Sequence, residues 1–402
     1  MPQDVDAGRM ARSTVSWSPH EPGSSMRAPF LIVGAVVLLA AAGDARPVPA
    51  GATLPAAIEA SVTGCGTGWS RPRAGEQVLS LRNDGATAAD VMLIDPATGA
   101  VYAELEGMGP GVTRQVRLVL GGGTYTFRCG DDGGGDPVTG PSTRIDGPPG
   151  GSPGILPVTD DDLYAPARSY TKYVSAGLDR LVAKTETLRD AVDGGDLDAA
   201  RSAWTPAHVS YERLGAAYGT FGDFDGAING GPAGLPGGVH DAGFTGFHRL
   251  EYGLWHGQSA SSLRDVADRL VRDTRALKDD FPKQRLDPAD LPLRAHEILE
   301  NTLQFQLTGH ADQGSDTTLE TAAANIEGTR EVLHVLRPVI GPRYPRLPEI
   351  DAWLDRMDAM LKGRSSVDRL STAQRERLNG TAGHLLELLA SVATICEPRR
   401  TS

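Results

Sequence analysis

Two periodicities divide the chain. Between residues 50 and 147, apolar and polar residues alternate in short runs: EQVLSLRND (76–84), ADVMLID (89–95), AVYAELEG (100–107), TRQVRLVL (113–120) and TYTFRC (124–129). A period of two turns one face inward and the other to solvent. The runs are separated by NDG, DPATG, GPG and GGG, which are turn sequences. This spacing predicts a small β-sandwich over 50–147. Its end overlaps a Gly/Pro-rich stretch without apolar period, GDDGGGDPVTGPSTRIDGPPGGSPG (130–154), which reads as a linker over about 130–156.

From 157 to 402 the period becomes helical. Leu163, Tyr170, Tyr173, Val174, Leu178, Leu181, Val182 and Leu188 recur at helical intervals and predict a helix over Asp160–Ala191. Asp196 or Asp198 can cap a helix over Leu197–Tyr218. Further helices are predicted at Thr245–Trp255, Ser261–Lys278, Leu291–Leu307, Thr318–Leu336, Glu349–Leu361 and Thr372–Ala393. Together, about seven or eight helices fit an all-α antiparallel bundle. The stretch Phe221–Gly243, rich in Gly and Asp, reads as a long loop leading into the Thr245 helix. Long ordered loops tend to carry function.

Residues 1–49 follow neither period. Met26-Arg27 precede APFLIVGAVVLLAAA (28–42) and then Asp44-Ala45-Arg46-Pro47. A positive start, an apolar stretch of about 12 to 15 residues and small residues after it predict an export signal. An uncleaved anchor is the other reading, although a membrane span needs about 20 apolar residues. The expected location is therefore outside the cytoplasm, periplasmic or at the cell surface. A formal charge of -12 and a pI near 5.2 argue against nucleic acid, which demands a basic face.

The chemistry concentrates in GFTGFHRLEYGLW (243–255), where His248 and Glu251 stand at i and i+3 in an apolar, aromatic setting. On a helix they share one face. Desolvating both is costly unless something binds them, and imidazole with carboxylate is a metal-donor pair. Spacing alone does not single them out, because His384 and Glu387 repeat it in a Leu-rich amphipathic segment. Partners for the first pair are His208 and Glu212 in AHVSYERLG, and His296, Glu297 and Glu300. HExxH is absent, and no GxSxG, Walker-A or GxGxxG fingerprint stands out at a strand-to-helix junction. Residues 47–160 contain no His, which rules out a blue-copper site. Cys65 and Cys129 can close a disulfide in an exported domain, whereas Cys396 is left over. A hard-cation site on Asp90, Glu104 or Glu106 is an alternative role for the β domain.

FTGFHRLEYGLW (244–255) resembles the HxxE segment of imelysin-type domains, and SYERL (210–214), FGDFDGAI (221–228), AHEILE (295–300) and ANIEGTREVLHVLRP (324–338) extend the likeness. The order of leader, cupredoxin-like β-sandwich and imelysin-like helical domain resembles the extracytoplasmic component of Efe-type iron-uptake systems. That resemblance implies metal binding by His248, Glu251 and Glu212. It implies iron as Fe2+ or Fe3+, with Zn2+ or another divalent metal as the alternative. It also implies an Efe-type membrane permease and a haem peroxidase as partners. An imelysin-like metallopeptidase and a surface module with a decayed metal site are the competing readings. The chain departs from the family pattern at Gly215 and Asn229, where Glu and Asp are expected. SDTTL (315–319) lacks a His, and Met92 and Thr126 replace acidic residues.

Overall fold

In the computed structural model, which describes residues 57–131, 135–364 and 366–398, β-strands come first and a helical domain of ten α-helices follows. The segment 1–49 expected to be a leader, with its apolar stretch 28–42, lies outside the described residues. The strands are β1 (Ile58–Glu59), β2 (Gly75–Arg82), β3 (Ala89–Ile94), β4 (Val101–Met108), β5 (Thr113–Leu120), β6 (Gly123–Asp131), β7 (Val138–Thr139) and β8 (Thr143–Ile145).

One sheet has the order β1-β2-β5; the other runs β4-β3-β6-β7, with β8 also on β6. The antiparallel register of β2 and β5, from Gly75 opposite Leu120 to Arg82 opposite Thr113, is uninterrupted. Their alternation buries Leu79, Leu81, Leu118 and Leu120 in one core with Val91, Leu93 and Phe127 of the other sheet. Cys65 and Cys129 are joined by a disulfide that closes a separation of 64 residues.

The 130–156 stretch is not a plain linker. It carries β7 and β8, and Gly151 and Ile155 bridge to Leu120 and Val101. Strands this short pair through their backbones, so they leave no apolar period to read. The GGG run is part of the same device: a Cβ on Gly121 would stand 2.1 Å from the Gly150 carbonyl oxygen. Only glycine allows that approach.

The helices are α1 (Asp160–Asp193), α2 (Leu197–Glu212), α3 (Tyr218–Phe221), α4 (Asp223–Asn229), α5 (Gly246–Trp255), α6 (Ala260–Asp280), α7 (Asp290–Asn301), α8 (Thr318–Ile340), α9 (Leu347–Leu361) and α10 (Thr372–Ile395). Thr159 and Asp162 form a capping box on α1, and Asp196 caps α2 by accepting from Ala199 N at 2.9 Å. The α1 stripe Leu163, Tyr170, Val174, Leu178, Leu181, Leu188 and Val192 is buried where α1 packs on α2, α6 and α8. Their side chains belong to a helical core separate from that of the sheets.

Three departures from the periodic reading bear on the site. α2 stops at Glu212, and the chain tightens into a 3-10 turn over Gly215–Ala217 before α3. Gly215 is a poor helix former, and Ile298 lies 3.0 Å from where its Cβ would be. α7 ends at Asn301 and continues as a π turn, Thr302–Gln306. The 221–243 loop contains α4, which polar residues and glycines hid from a test for apolar repeats. Among the described residues no helix is long and apolar enough to cross a membrane.

Candidate functional site

The first turn of α5 is fixed from two sides. Trp204, buried on α2, donates its indole N–H to the Phe247 carbonyl at 3.0 Å. Thr245 donates its hydroxyl to the Ala227 carbonyl at 2.9 Å, tying the start of α5 to α4. Gly246 takes a φ of 76°, and its Cα passes so near α4 that a Cβ would lie 2.1 Å from the Ile228 carbonyl oxygen. His248 and Glu251 follow on this anchored turn.

His248 Nδ1 lies 2.9 Å from Glu251 Oε2. The other oxygen, Glu251 Oε1, accepts from Gln313 N at 3.0 Å, Ser315 N at 3.1 Å and Ser315 Oγ at 2.6 Å. Glu251 is 1% exposed, and both its oxygens are taken up within the protein. Burial pushes its carboxyl pKa upward, but the hydrogen bond and charge of His248, with Ser315 and Gln313, outweigh this and hold it below the usual range. Burial likewise opposes charge on His248, and the Glu251 hydrogen bond and charge outweigh it, raising the imidazole.

A second couple stands beside the first. His208 Nε2 is 3.2 Å from Glu212 Oε1 and 3.0 Å from Asn229 Oδ1, and the Asn229 amide donates to Glu212 Oε1 at 2.7 Å. Oriented so that both its ends are satisfied, the Asn325 amide donates to Glu212 Oε2 at 3.0 Å and accepts from Thr302 Oγ1. Burial raises the Glu212 carboxyl, yet His208 and Asn229 more than compensate and its pKa is lowered. The rings of His208 and His248 meet edge to face at 5.2 Å between centroids. His208 also stacks on Trp204 at 4.6 Å.

Glu212 and His248 line a cavity of about 440 Å³, together with Asp225, Glu297, Arg294 and His310. Asp225 accepts the Tyr211 hydroxyl. Burial, reinforced by the Glu212 charge, raises its carboxyl despite that bond. Glu297 is ion-paired with Arg294. His296 and Glu300 face each other at 3.8 Å and are not among the cavity's lining residues. His384 pairs with Glu349 at 3.4 Å and Glu387 at 3.6 Å on the half-exposed face of α10. The structure therefore brings His208, Glu212, His248 and Glu251 together and leaves the rival pair outside. Among the described residues, no group of three or more His, Cys, Asp and Glu is gathered closely enough to hold a metal ion.

Asp225, Asn325 and Ser315 are participants that residue patterns did not single out. Asp225 lies in the FGDFDGAI run, where its short acidic signal was visible. Ser315 and Asn325 act through long-range contacts with no local signature.

The His248–Glu251 couple gives stability a defined pH window. The folded pKa of His248 is raised above its ordinary 6.5, so its contribution is full below 6.5 and is lost as pH rises through the folded value. The folded pKa of Glu251 is lowered from 4.5, so its contribution is present above 4.5 and is lost as pH falls through the folded value. Urea denaturation should give the largest difference between the parent protein and Glu251→Gln between pH 4.5 and 6.5. A difference that does not vary with pH would dismiss the coupling.

A family profile for imelysin matches residues 166–392. The iron uptake system component EfeO of Yersinia pseudotuberculosis is 29% identical over 301 residues, covering 73% of this chain and 78% of that protein. EfeO of Escherichia coli O157:H7 is 28% identical over 305 residues, with 73% and 78% covered.

Proposed function

We propose that this chain, which belongs to the imelysin family, is the extracytoplasmic metal-binding component of an Efe-type iron-uptake system, taking up iron and delivering it to a membrane permease. The observation that carries this reading is the pair of imidazole–carboxylate couples in edge contact at 5.2 Å, with His248 and Glu212 both lining the cavity. The likeness to proteins named iron uptake system component EfeO supports the choice of cargo.

His248, Glu251 and Glu212 form the proposed metal-binding set, with different duties. Glu251 holds Nδ1 of His248 and so directs Nε2 away from itself; a carboxylate in this role fixes ring orientation and raises donor strength. Glu212 offers its carboxylate to the cavity by exchanging amide partners, Asn229 and Asn325, for the ion. That exchange makes binding reversible, as a protein that hands its cargo on requires. Nitrogen and oxygen donors of this kind accept iron and also Zn2+ or another divalent ion.

The proposed organisation is an exported leader (1–49), a cupredoxin-like β-sandwich (50–147) and an imelysin-like antiparallel helix bundle (157–402). Separate cores for sheets and helices support the division. The permease and a haem peroxidase are the proposed partners.

The test is metal analysis of the purified protein after anaerobic loading with Fe2+ and, separately, aerobic loading with Fe3+. Stoichiometric iron that is lost in His248→Ala is the expected result. Equal retention by the variant, or no iron in the parent protein, would reject the proposal. Peptide hydrolysis abolished by the same substitution would replace it with a metallopeptidase.

A further inference from the structure

The cavity beside Glu212 and His248 is much larger than an ion. Its volume of about 440 Å³ falls in the range of small-molecule sites, roughly 300–1,000 Å³. The protein donors it offers are few. Glu212 and His248 line it, while Glu251 is committed at both oxygens to His248, Gln313 and Ser315. The other two carboxylates on the wall are engaged, Asp225 by the Tyr211 hydroxyl and Glu297 by Arg294. Non-haem iron held by so few side chains keeps coordination positions for another molecule.

Two further side chains on the same wall do not suit a bare cation. Arg294 brings a guanidinium, whose charge repels one. Glu297 engages its Nη1, and the nearest Asp290 oxygen stands 3.8 Å from Nη2. A guanidinium has five N–H donors, so Arg294 keeps several for another acceptor. The chain makes room for it at α3, where a Cβ on Gly219 would lie 2.7 Å from Nη2. Phe305 is 49% exposed and lines the cavity. It rides on the π turn Thr302–Gln306, a distortion frequent at functional sites.

We propose that the cavity takes iron together with a small hydroxy acid. The hydroxyl and one carboxylate oxygen of the acid chelate the ion, the other carboxylate oxygen meets Arg294, and the carbon body packs on Phe305 and Ile298. The proposal rests on iron being the cargo of this cavity. Guanidinium and carboxylate form a planar, charge-assisted pair, and an apolar wall with a few placed polar groups is the usual form of a site for an organic molecule. An inorganic anion has no carbon body to set against Phe305. The chelator's charge offsets that of the ion, so Arg294 ceases to be an obstacle and becomes a selector. Arg294 and Phe305 are then specificity residues that read the chelator, while His248 and Glu212 hold the ion.

Calorimetric titration of 2-hydroxybenzoate, and separately of inorganic phosphate, into iron-loaded and metal-free protein tests the site. Dialysis afterwards shows whether the iron stays with the chain. The expected result is one 2-hydroxybenzoate per loaded chain, bound about tenfold or more tightly than by metal-free protein, with the iron retained and phosphate giving no such gain. The gain should fall about tenfold in Arg294→Gln and several-fold in Phe305→Ala, as expected for losing a charge-assisted bond and an aromatic contact. Phe305 is half exposed, so its variant reports even if Arg294→Gln folds poorly. Iron that loads but ignores 2-hydroxybenzoate, leaves with it, or gains equally from phosphate would overturn the co-ligand alone, as would an undiminished gain in Phe305→Ala. A parent protein that takes up no iron would reject the cargo itself, and the co-ligand with it.

Discussion

Replacing Glu251 by Ala is expected to destabilise the protein by about 3–5 kcal/mol, the loss typical of removing one partner from a buried ion pair. The residue is 1% exposed and accepts from His248 and from three donors of the 313–315 loop. Ala leaves the His248 ring N–H and the Gln313 and Ser315 main-chain N–H groups without an acceptor, while the Ser315 hydroxyl can turn to Thr317 Oγ1 at 2.9 Å. Each orphaned group carries about 1–3 kcal/mol of desolvation, but the effects do not add, because a freed loop can turn its donors to water. Glu251→Gln keeps an oxygen for the loop and loses only the acceptor facing Nδ1, so its loss should be less than half as large. Urea denaturation at pH 6 is the measurement. A loss for Glu251→Ala below about 1 kcal/mol, the size of an ordinary surface change or a little more, would mean that the loop and the ring are not held by this carboxylate.

The same residue shows where reading the sequence stops. The i, i+3 spacing places His248 and Glu251 on one face, and the aromatic setting separates them from His384 and Glu387. Both inferences are local, and α5 presents them within its ten residues. What spacing does not reveal is which way the carboxylate is committed, because the donors to Glu251 come from residues 62 and 64 positions away. Asn229 is a similar case. As a letter in a family pattern it is a lost acidic donor; in the structure its amide joins Glu212 to His208, a contact that an Asp carboxylate at that position would not donate. The long amphipathic helices α1, α6 and α8 were legible because burial on one face imposes a period. α4, β7 and β8 were not, because segments of two to seven residues do not complete enough turns or alternations to impose one.

Both His–Glu couples use a carboxylate to hold an imidazole, yet only one is braced by backbone. Glu251 is fixed by two main-chain N–H groups, whereas Glu212 is held by the movable side chains of His208, Asn229 and Asn325. The asymmetry makes His248 the fixed element of the site and Glu212 the adaptable one. Under the proposed iron-binding role, Glu212 would be the carboxylate that moves as cargo enters and leaves.

That division depends on α5 being anchored, and Gly246→Ala tests the anchor. A side chain at φ 76° is strained by about 1–3 kcal/mol. The new Cβ would also stand 2.1 Å from the Ile228 carbonyl oxygen and 2.6 Å from that of Ala227. Both obstacles are main chain, so no rotamer relieves them, and overpacking of this kind adds about 1–3 kcal/mol. The start of α5 must therefore move off α4, stretching the Thr245 bond to Ala227 and the Trp204 bond to Phe247 and carrying His248 with it. Gly257→Ala supplies the control: its φ is 74°, but nothing lies within 4 Å of the added carbon. The two variants should share the loss due to backbone strain. Gly246→Ala alone should show the further loss in urea denaturation and a weakened metal affinity. Equal stability losses and unchanged metal binding in both would show that α5 is not set by its contact with α4.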